Sequence, residues 1–212
     1  YWNDIIEKTN NSKNKLFPAF SFQKKGDYYF HKGIKDLALN NYLSANKHIT
    51  KIKNDSLSSI VNYRIGIIKK YNQNYTESIK HFKKSLLYFD ENSKNYYEHC
   101  SLLFNLSSTY LILKQYDSAY FINNKVFHIA KKNKDSIITG YAYYNKGAIL
   151  LKKDKYPKAI NLIQKSIKYI NLDENIYILT SAFNNLGKAY NKLNDNTNAL
   201  KNYLKVDSLF LK

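Results

Sequence analysis

Five histidines and one cysteine are the side chains best suited to metal or nucleophilic chemistry, and their spacing supports neither. His31, His48, His81, His99 and His128 form no His-Glu-x-x-His motif and no pair at i, i+4. His99 and Cys100 are sequence neighbours, which point in different directions on a helix, so a buried thiol beside a surface imidazole is expected. Cys100 is the lone cysteine, which excludes a disulfide within the chain and leaves the redox compartment open. There is no glycine-rich phosphate loop and no Gly-x-Ser-x-Gly elbow. No catalytic residue, bound metal or cofactor is therefore expected. What does recur is tyrosine, lysine and asparagine at steps of three, four and seven, the spacing of one helix face. Tyrosine offers rigid amphipathic contact area, while asparagine and lysine can hold backbone amides or a carboxylate, so this chemistry suits a peptide or protein segment.

The elements that carry these faces repeat. Gly26, Gly66, Ser107, Gly147 and Gly187 lie 40, 41, 40 and 40 residues apart, and Ala38, Ser78, Ala119, Ala159 and Ala199 follow each by twelve. A chain periodic in this way stacks one supersecondary unit on the next. Each unit has two stretches with apolar residues at steps of three and four, joined by a short polar turn. Phe183, Leu186, Gly187 and Tyr190 make one stripe in the last unit, and Ala199, Tyr203 and Val206 make the facing one. Small residues at mid-stripe let two helix backbones approach, and larger ones fill the space above and below. The third unit departs from this, with Asn123 where a bulky residue is expected. Turns are predicted at Asn72–Asn74, Lys152–Lys155 and Asn194–Asn196, with Pro157 in a first helical turn. Residues 133–136 and 171–174 are expected to cap the helices that follow them. The pattern predicts ten helices of about 13–18 residues. A flank at 1–18 holds the end of a further helix and a polar break at Asn10–Asn14, and one solenoid spans 19–212. Its units fall near 19–54, 55–94, 95–134, 135–174 and 175–212.

Composition narrows the partners. Six glycines and two prolines are too few for an all-β or loop-rich chain, and no run of eighteen apolar residues could span a membrane. The 34 basic and 16 acidic residues give a net charge of +18, which favours acidic partners. Only Arg64 is arginine, however, and lysine, asparagine, isoleucine and tyrosine share A/T-rich codons, so base bias accounts for much of the lysine. Sequence-specific nucleic-acid binding would call for arginine at bidentate contacts and is not expected. A chain that opens on Tyr1 and lacks methionine is expected to be a processed product or an excised segment.

The five units resemble the tetratricopeptide repeat, whose signature runs from a bulky residue through Leu-Gly and Tyr to Ala, an aromatic residue and Ala. Asn185 to Tyr190 followed by Asp195 to Leu200 is a near copy. The resemblance covers residues 19–212 and implies an all-α, right-handed solenoid of five helix-turn-helix repeats. The 40-residue step exceeds the 34 usual for the family, adding roughly one and a half turns per pair. Units of this length resemble those of bacterial peptide-sensing regulators and the sensor segments of transcription factors and histidine kinases. The resemblance also implies that first helices line a concave groove. The face opposite the core stripe then supplies Tyr63, Ile67 and Lys70, followed by Phe104 and Ser108, then Tyr141 and Tyr144. Asn184, Lys188, Asn191 and Lys192 complete it. Asn184 and Lys188 stand at helix positions that carboxylate-clamping members use, in swapped order. The implied function is a non-enzymatic protein- or peptide-binding module, the sensing or partner-binding segment of a bacterial regulator. The alternative is a stand-alone scaffold or assembly adaptor. Compartment, whether extracytoplasmic or cytoplasmic, and oligomeric state are left open by the sequence.

Overall fold

The computed structural model describes residues 2–10, 16–52, 54–89, 95–170 and 175–210, and all regular structure among them is α-helical. Helix α1 (Trp2–Asn10) precedes five pairs. These are α2 (Leu16–His31) with α3 (Lys35–Ile52), α4 (Asp55–Tyr71) with α5 (Tyr75–Leu86), and α6 (Tyr96–Ile112) with α7 (Tyr116–Lys132). The last two are α8 (Ser136–Lys152) with α9 (Tyr156–Ile167), and α10 (Ile176–Lys192) with α11 (Asn196–Phe210). Helices α5 and α9 have 12 residues each, slightly shorter than the pattern predicts. Residues 11–14 of the expected polar break and the expected cap run 171–174 lie outside the described residues. The chain divides into two compact units, 1–105 and 106–212, with the boundary inside α6.

The small-residue series explains how each pair closes. In the first unit, a Cβ added to Gly26 would lie 2.7 Å from the Tyr42 ring, and one added to Gly66 would lie 2.6 Å from Phe82. In the second unit the same construction brings Gly147 to 2.5 Å from Ile163 and Gly187 to 2.5 Å from Tyr203. Each glycine thus receives the side chain sixteen residues later directly against its backbone. The third pair inverts the sizes. Ser107 carries a side chain there, its hydroxyl donating to the Ala119 carbonyl at 2.9 Å, and the facing position shrinks to Asn123. Asn123 is fully buried and its Nδ2 donates to the Ala142 carbonyl at 2.8 Å, fastening α7 to α8. The amide at this position serves as a link between consecutive pairs, which a bulky apolar residue could not supply.

The core of the first unit gathers Ala19, Tyr42, Ile49, Leu57, Val61, Ile65 and Ile68 from α2, α3 and α4. In the second unit Ile160, Ile163, Ala182, Leu186 and Ala189 cluster, beside a smaller set of Ile170, Leu179 and Leu209. Tyr203 and Val206 of the expected last stripe are only half-buried.

Every turn within a pair uses one residue in the left-handed region, again at steps of 40 or 41: Gly33, Gln73, Lys114, Asp154 and Asn194, with φ between 56° and 76°. The next amide then reaches back five residues, as in Asn74 N–H to the Lys69 carbonyl (2.8 Å) and Asp195 N–H to Tyr190 (3.0 Å). This is the helix-closing bond that satisfies otherwise orphaned carbonyls. Side-chain caps also start first helices of the pairs. Asn54 Oδ1 accepts from the Leu57 amide at 2.9 Å, and Asp135 Oδ1 from Ile138 at 2.8 Å.

Two imidazoles are buried where a helical surface position would have left them in water. His99 stacks on Phe89 with centroids 5.2 Å apart, so the expected surface imidazole is corrected by an aromatic partner brought from beyond α5. His81 of α5 lies 2.9 Å from Asn62 Oδ1 through its Nδ1, with the Asn62 amide donating to Ser58. Because Oδ1 accepts, Nδ1 carries a proton. Burial, joined by Lys84, Lys69 and Lys80 and opposed by Glu77, holds the His81 pKa below its ordinary 6.5. The unfolded chain therefore takes up this proton first as the pH falls, so stability is lost from about 6.5 downward. Thermal midpoints at about pH 7.5 and 5.5 should fall more for the wild type than for His81→Gln, whose amide still donates but does not titrate. Equal falls would place the acid sensitivity elsewhere.

Candidate functional site

On α4 the expected face is partly engaged by the next helix. Tyr63 is half-buried, its ring 6.0 Å from that of Phe82, and its hydroxyl accepts from Asn105 Nδ2 at 3.0 Å. Asn105 Oδ1 in turn accepts from Lys70 Nζ at 3.3 Å. Burial holds the Lys70 pKa below its ordinary value and pushes that of Tyr63 up. One asparagine of α6 thus gathers two of the expected groove residues. Ile67 and Phe104 are half-buried beside this face. Tyr63 also borders a cavity of about 230 Å³ within the first unit, with Ile60, Arg64, Tyr97, Glu98 and Leu102 among its walls. The lone arginine is held there, its Nε 3.5 Å from Asp27 and its guanidinium carbon 5.4 Å from the centre of the Phe30 ring.

The second unit repeats the link. Tyr144 is half-buried against the core of Ile163, Ala182 and Leu186, and its hydroxyl accepts from Asn185 Nδ2 at 3.2 Å. Burial raises its pKa, with Ser181 and Asn185 hydrogen bonds opposing the rise. Tyr141 donates to Asn175 Oδ1. Ser108 and Asn184 are half-buried, whereas Lys188, Asn191 and Lys192 are exposed along the C-terminal half of α10. Tyr190, assigned by its spacing to the core, is half-buried just as Tyr144 is.

Asn105 and Asn185 are the participants that the spacing of the expected face does not include. They do have a signature, since asparagine stands two residues before Ser107, Gly147 and Gly187. Tyr63 and Tyr144 stand three before Gly66 and Gly147, so the tyrosine of one first helix meets the asparagine of the next. Phe104 holds the tyrosine position in the intervening unit and has no hydroxyl to offer. Among the described residues no three His, Cys, Asp or Glu side chains come together as a metal site would need, and no helix is long and apolar enough to cross a membrane.

The paired helices and their repeat are the fold of tetratricopeptide-repeat structures. Residues 180–210 match the tetratricopeptide repeat family model. The transcriptional activator NprA of Geobacillus stearothermophilus is 29% identical over 119 residues, which are 56% of this chain and 29% of that protein. The chain therefore spans well under half of that relative. The apo form of RapI shares the fold with a TM-score of 0.83 at 16% identity, over 90% of this chain and 69% of RapI. YrrB, described as a tetratricopeptide-repeat protein with an unusual peptide-binding site, superposes with a TM-score of 0.66 at 17% identity. That match covers 98% of this chain and 91% of YrrB.

Proposed function

We propose that this chain is the sensing or partner-binding segment of a bacterial signalling or transcription regulator, and that it takes a peptide or protein segment on its first-helix faces. The observation that carries this reading is the sequence similarity to a transcriptional activator, extending over more than half of this chain. The RapI-like fold and the peptide-binding site named for YrrB agree with it. On α10 the exposed Lys188, Asn191 and Lys192 with the half-buried Asn184 present amide and ammonium groups that suit a peptide backbone or carboxylate. On α4 and α6 the Tyr63–Asn105–Lys70 cluster serves as a rigid platform, and Ile67 and the adjoining cavity supply apolar contact.

The structure changes which residues should be altered to test this. Tyr63 and Tyr144 bond to neighbouring repeats, so their loss would mix binding with stability. Asn184→Ala, Lys188→Glu and Lys192→Glu combined should reduce capture of a specific partner from a lysate of the source organism at least tenfold, read by quantitative mass spectrometry. The thermal midpoint should stay within about 2 °C, as for most surface changes. Undiminished capture by the folded variant would remove α10 from the binding surface.

A further inference from the structure

The second helices of the last two pairs enclose a cleft that the first-helix reading does not use. It measures about 510 Å³ and lies in the second unit between α9, α10 and α11. Asn161, Gln164 and Lys165 of α9 and its C-cap Lys168 line it at steps of three, one and three. On α11, Asn198, Lys201, Asn202 and Lys205 line it at the same steps. Those steps place each set on one helix face, so the cleft has two matching walls of amides and ammonium groups. Ile167 and the α10 residues Phe183 and Leu186 supply apolar surface between them.

Its charge is one-sided. Four of the lining residues are lysine and none is acidic. Lys205 rests its ammonium 5.0 Å from the centre of the Phe183 ring, bringing one charge to the apolar part of the cleft. Among the described residues, none of the four lysines is within ion-pair distance of a carboxylate. Tyr190 accepts a hydrogen bond from Gln164 Nε2 at 3.2 Å, so its own hydroxyl proton remains available to an acceptor in the cleft. Lysine ammonium groups are compact point charges suited to single carboxylates, whereas planar bidentate recognition would favour arginine. The apolar centre has no use for a phosphodiester backbone but accommodates an aliphatic side chain.

We propose that this cleft binds an acidic peptide segment with one bulky aliphatic residue among its carboxylates. The aliphatic side chain meets Ile167, Phe183 and Leu186 while the carboxylates meet the lysine walls. This is a second site, independent of the first-helix faces.

Fluorescence anisotropy with a labelled Asp-Glu-Glu-Leu-Glu-Glu-Asp peptide tests it against the general attraction of a basic chain. Lys165→Glu with Lys205→Glu should weaken binding at least tenfold. Lys32→Glu with Lys51→Glu, an equal charge change on exposed positions of the first unit, should weaken it less than threefold. Serine in place of the central leucine of the peptide should cost at least threefold. Circular dichroism checks that the variants are folded, and Lys165→Gln with Lys205→Gln serves if the charge reversal is not tolerated. Equal weakening by the two lysine pairs, or indifference to the leucine, would overturn the proposal in favour of unspecific charge attraction. Tighter binding of an oligonucleotide of equal charge, lost with the same Lys165 and Lys205 changes, would overturn it in favour of a polyanion site.

Discussion

Leucine in place of Gly66 should lower the unfolding free energy of the protein by about 1–3 kcal/mol, the usual cost of overpacking a filled core. The reason is local and geometric. Phe82 is fully buried, and its ring already occupies the space that the first side-chain carbon would need, with Cδ1 and Cε1 both 2.6 Å from that position. Neither α4 nor the ring can yield without disturbing Val61 and Ile65 on the same helix, which are also fully buried. Gly33 provides the contrast. It sits in a turn with nothing within 4 Å, so a side chain there meets only the cost of a left-handed backbone at φ 76°. Denaturant unfolding of Gly66→Leu, Phe82→Ala and the double variant gives the decisive comparison. The double variant should be more stable than the two single losses predict, with a coupling of about 1 kcal/mol or more, because the leucine fills space left by the ring. Additive losses would mean that glycine and ring do not share that space, and that the small-residue register has another cause.

That register was the most legible part of the chain. A helix crossing tolerates few solutions to the size of two facing residues, so Gly26, Gly66, Gly147 and Gly187 had to recur with a large partner sixteen positions on. Even the exception carried information, since Ser107 and Asn123 depart together. Other periodic features were only partly legible. The turns recur as strictly as the glycines, and Gln73, Asp154 and Asn194 fall inside turns that the sequence predicts, but Gln73 and Lys114 are not residue types that favour the left-handed conformation. The Tyr63–Asn105 and Tyr144–Asn185 bonds join residues 42 and 41 positions apart. Helical spacing assigns a residue to a face of its own helix and is silent about what the next repeat places there. His99 departs from the surface position that its spacing predicts for the same reason, because its burial depends on Phe89 beyond the preceding helix. The cleft between α9 and α11 follows this logic too. Each lysine stripe alone reads as a solvated helix face, and only the packing of the two pairs turns them towards a common space.

Replacing Asp27 with alanine should cost the protein about 2–4 kcal/mol, as expected when buried polar and charged partners lose their acceptor together. Asp27 lies on α2 with a side chain only 19% exposed, and three elements depend on it. The fully buried Tyr42 of α3 donates its hydroxyl to Oδ1 at 2.6 Å, and Gln23 donates to Oδ2 one turn earlier on α2. Arg64 of α4 brings its Nε to 3.5 Å from Oδ1. Burial, reinforced by the Asp27 carboxylate, drives the Tyr42 pKa well above the ordinary phenol value, so this hydroxyl stays protonated and must find an acceptor. Asparagine can still accept through its carbonyl but leaves Arg64 without a countercharge, so Asp27→Asn should lose less than alanine and more than an exposed control such as Asp36→Asn. If Asp27→Ala and Asp36→Ala unfold at the same denaturant concentration, the hub contributes nothing net. If Asp27→Ala is as costly in a Tyr42→Phe background as in the wild type, the hydroxyl is not what makes it costly. The expected result is a smaller loss in that background, because the deepest orphaned donor has already been removed. The lone arginine would then be anchored for a structural reason. Asp27 supplies its countercharge and Arg64 also lines the cavity beside Tyr63, so a change on α2 should also weaken any ligand that the cavity accepts.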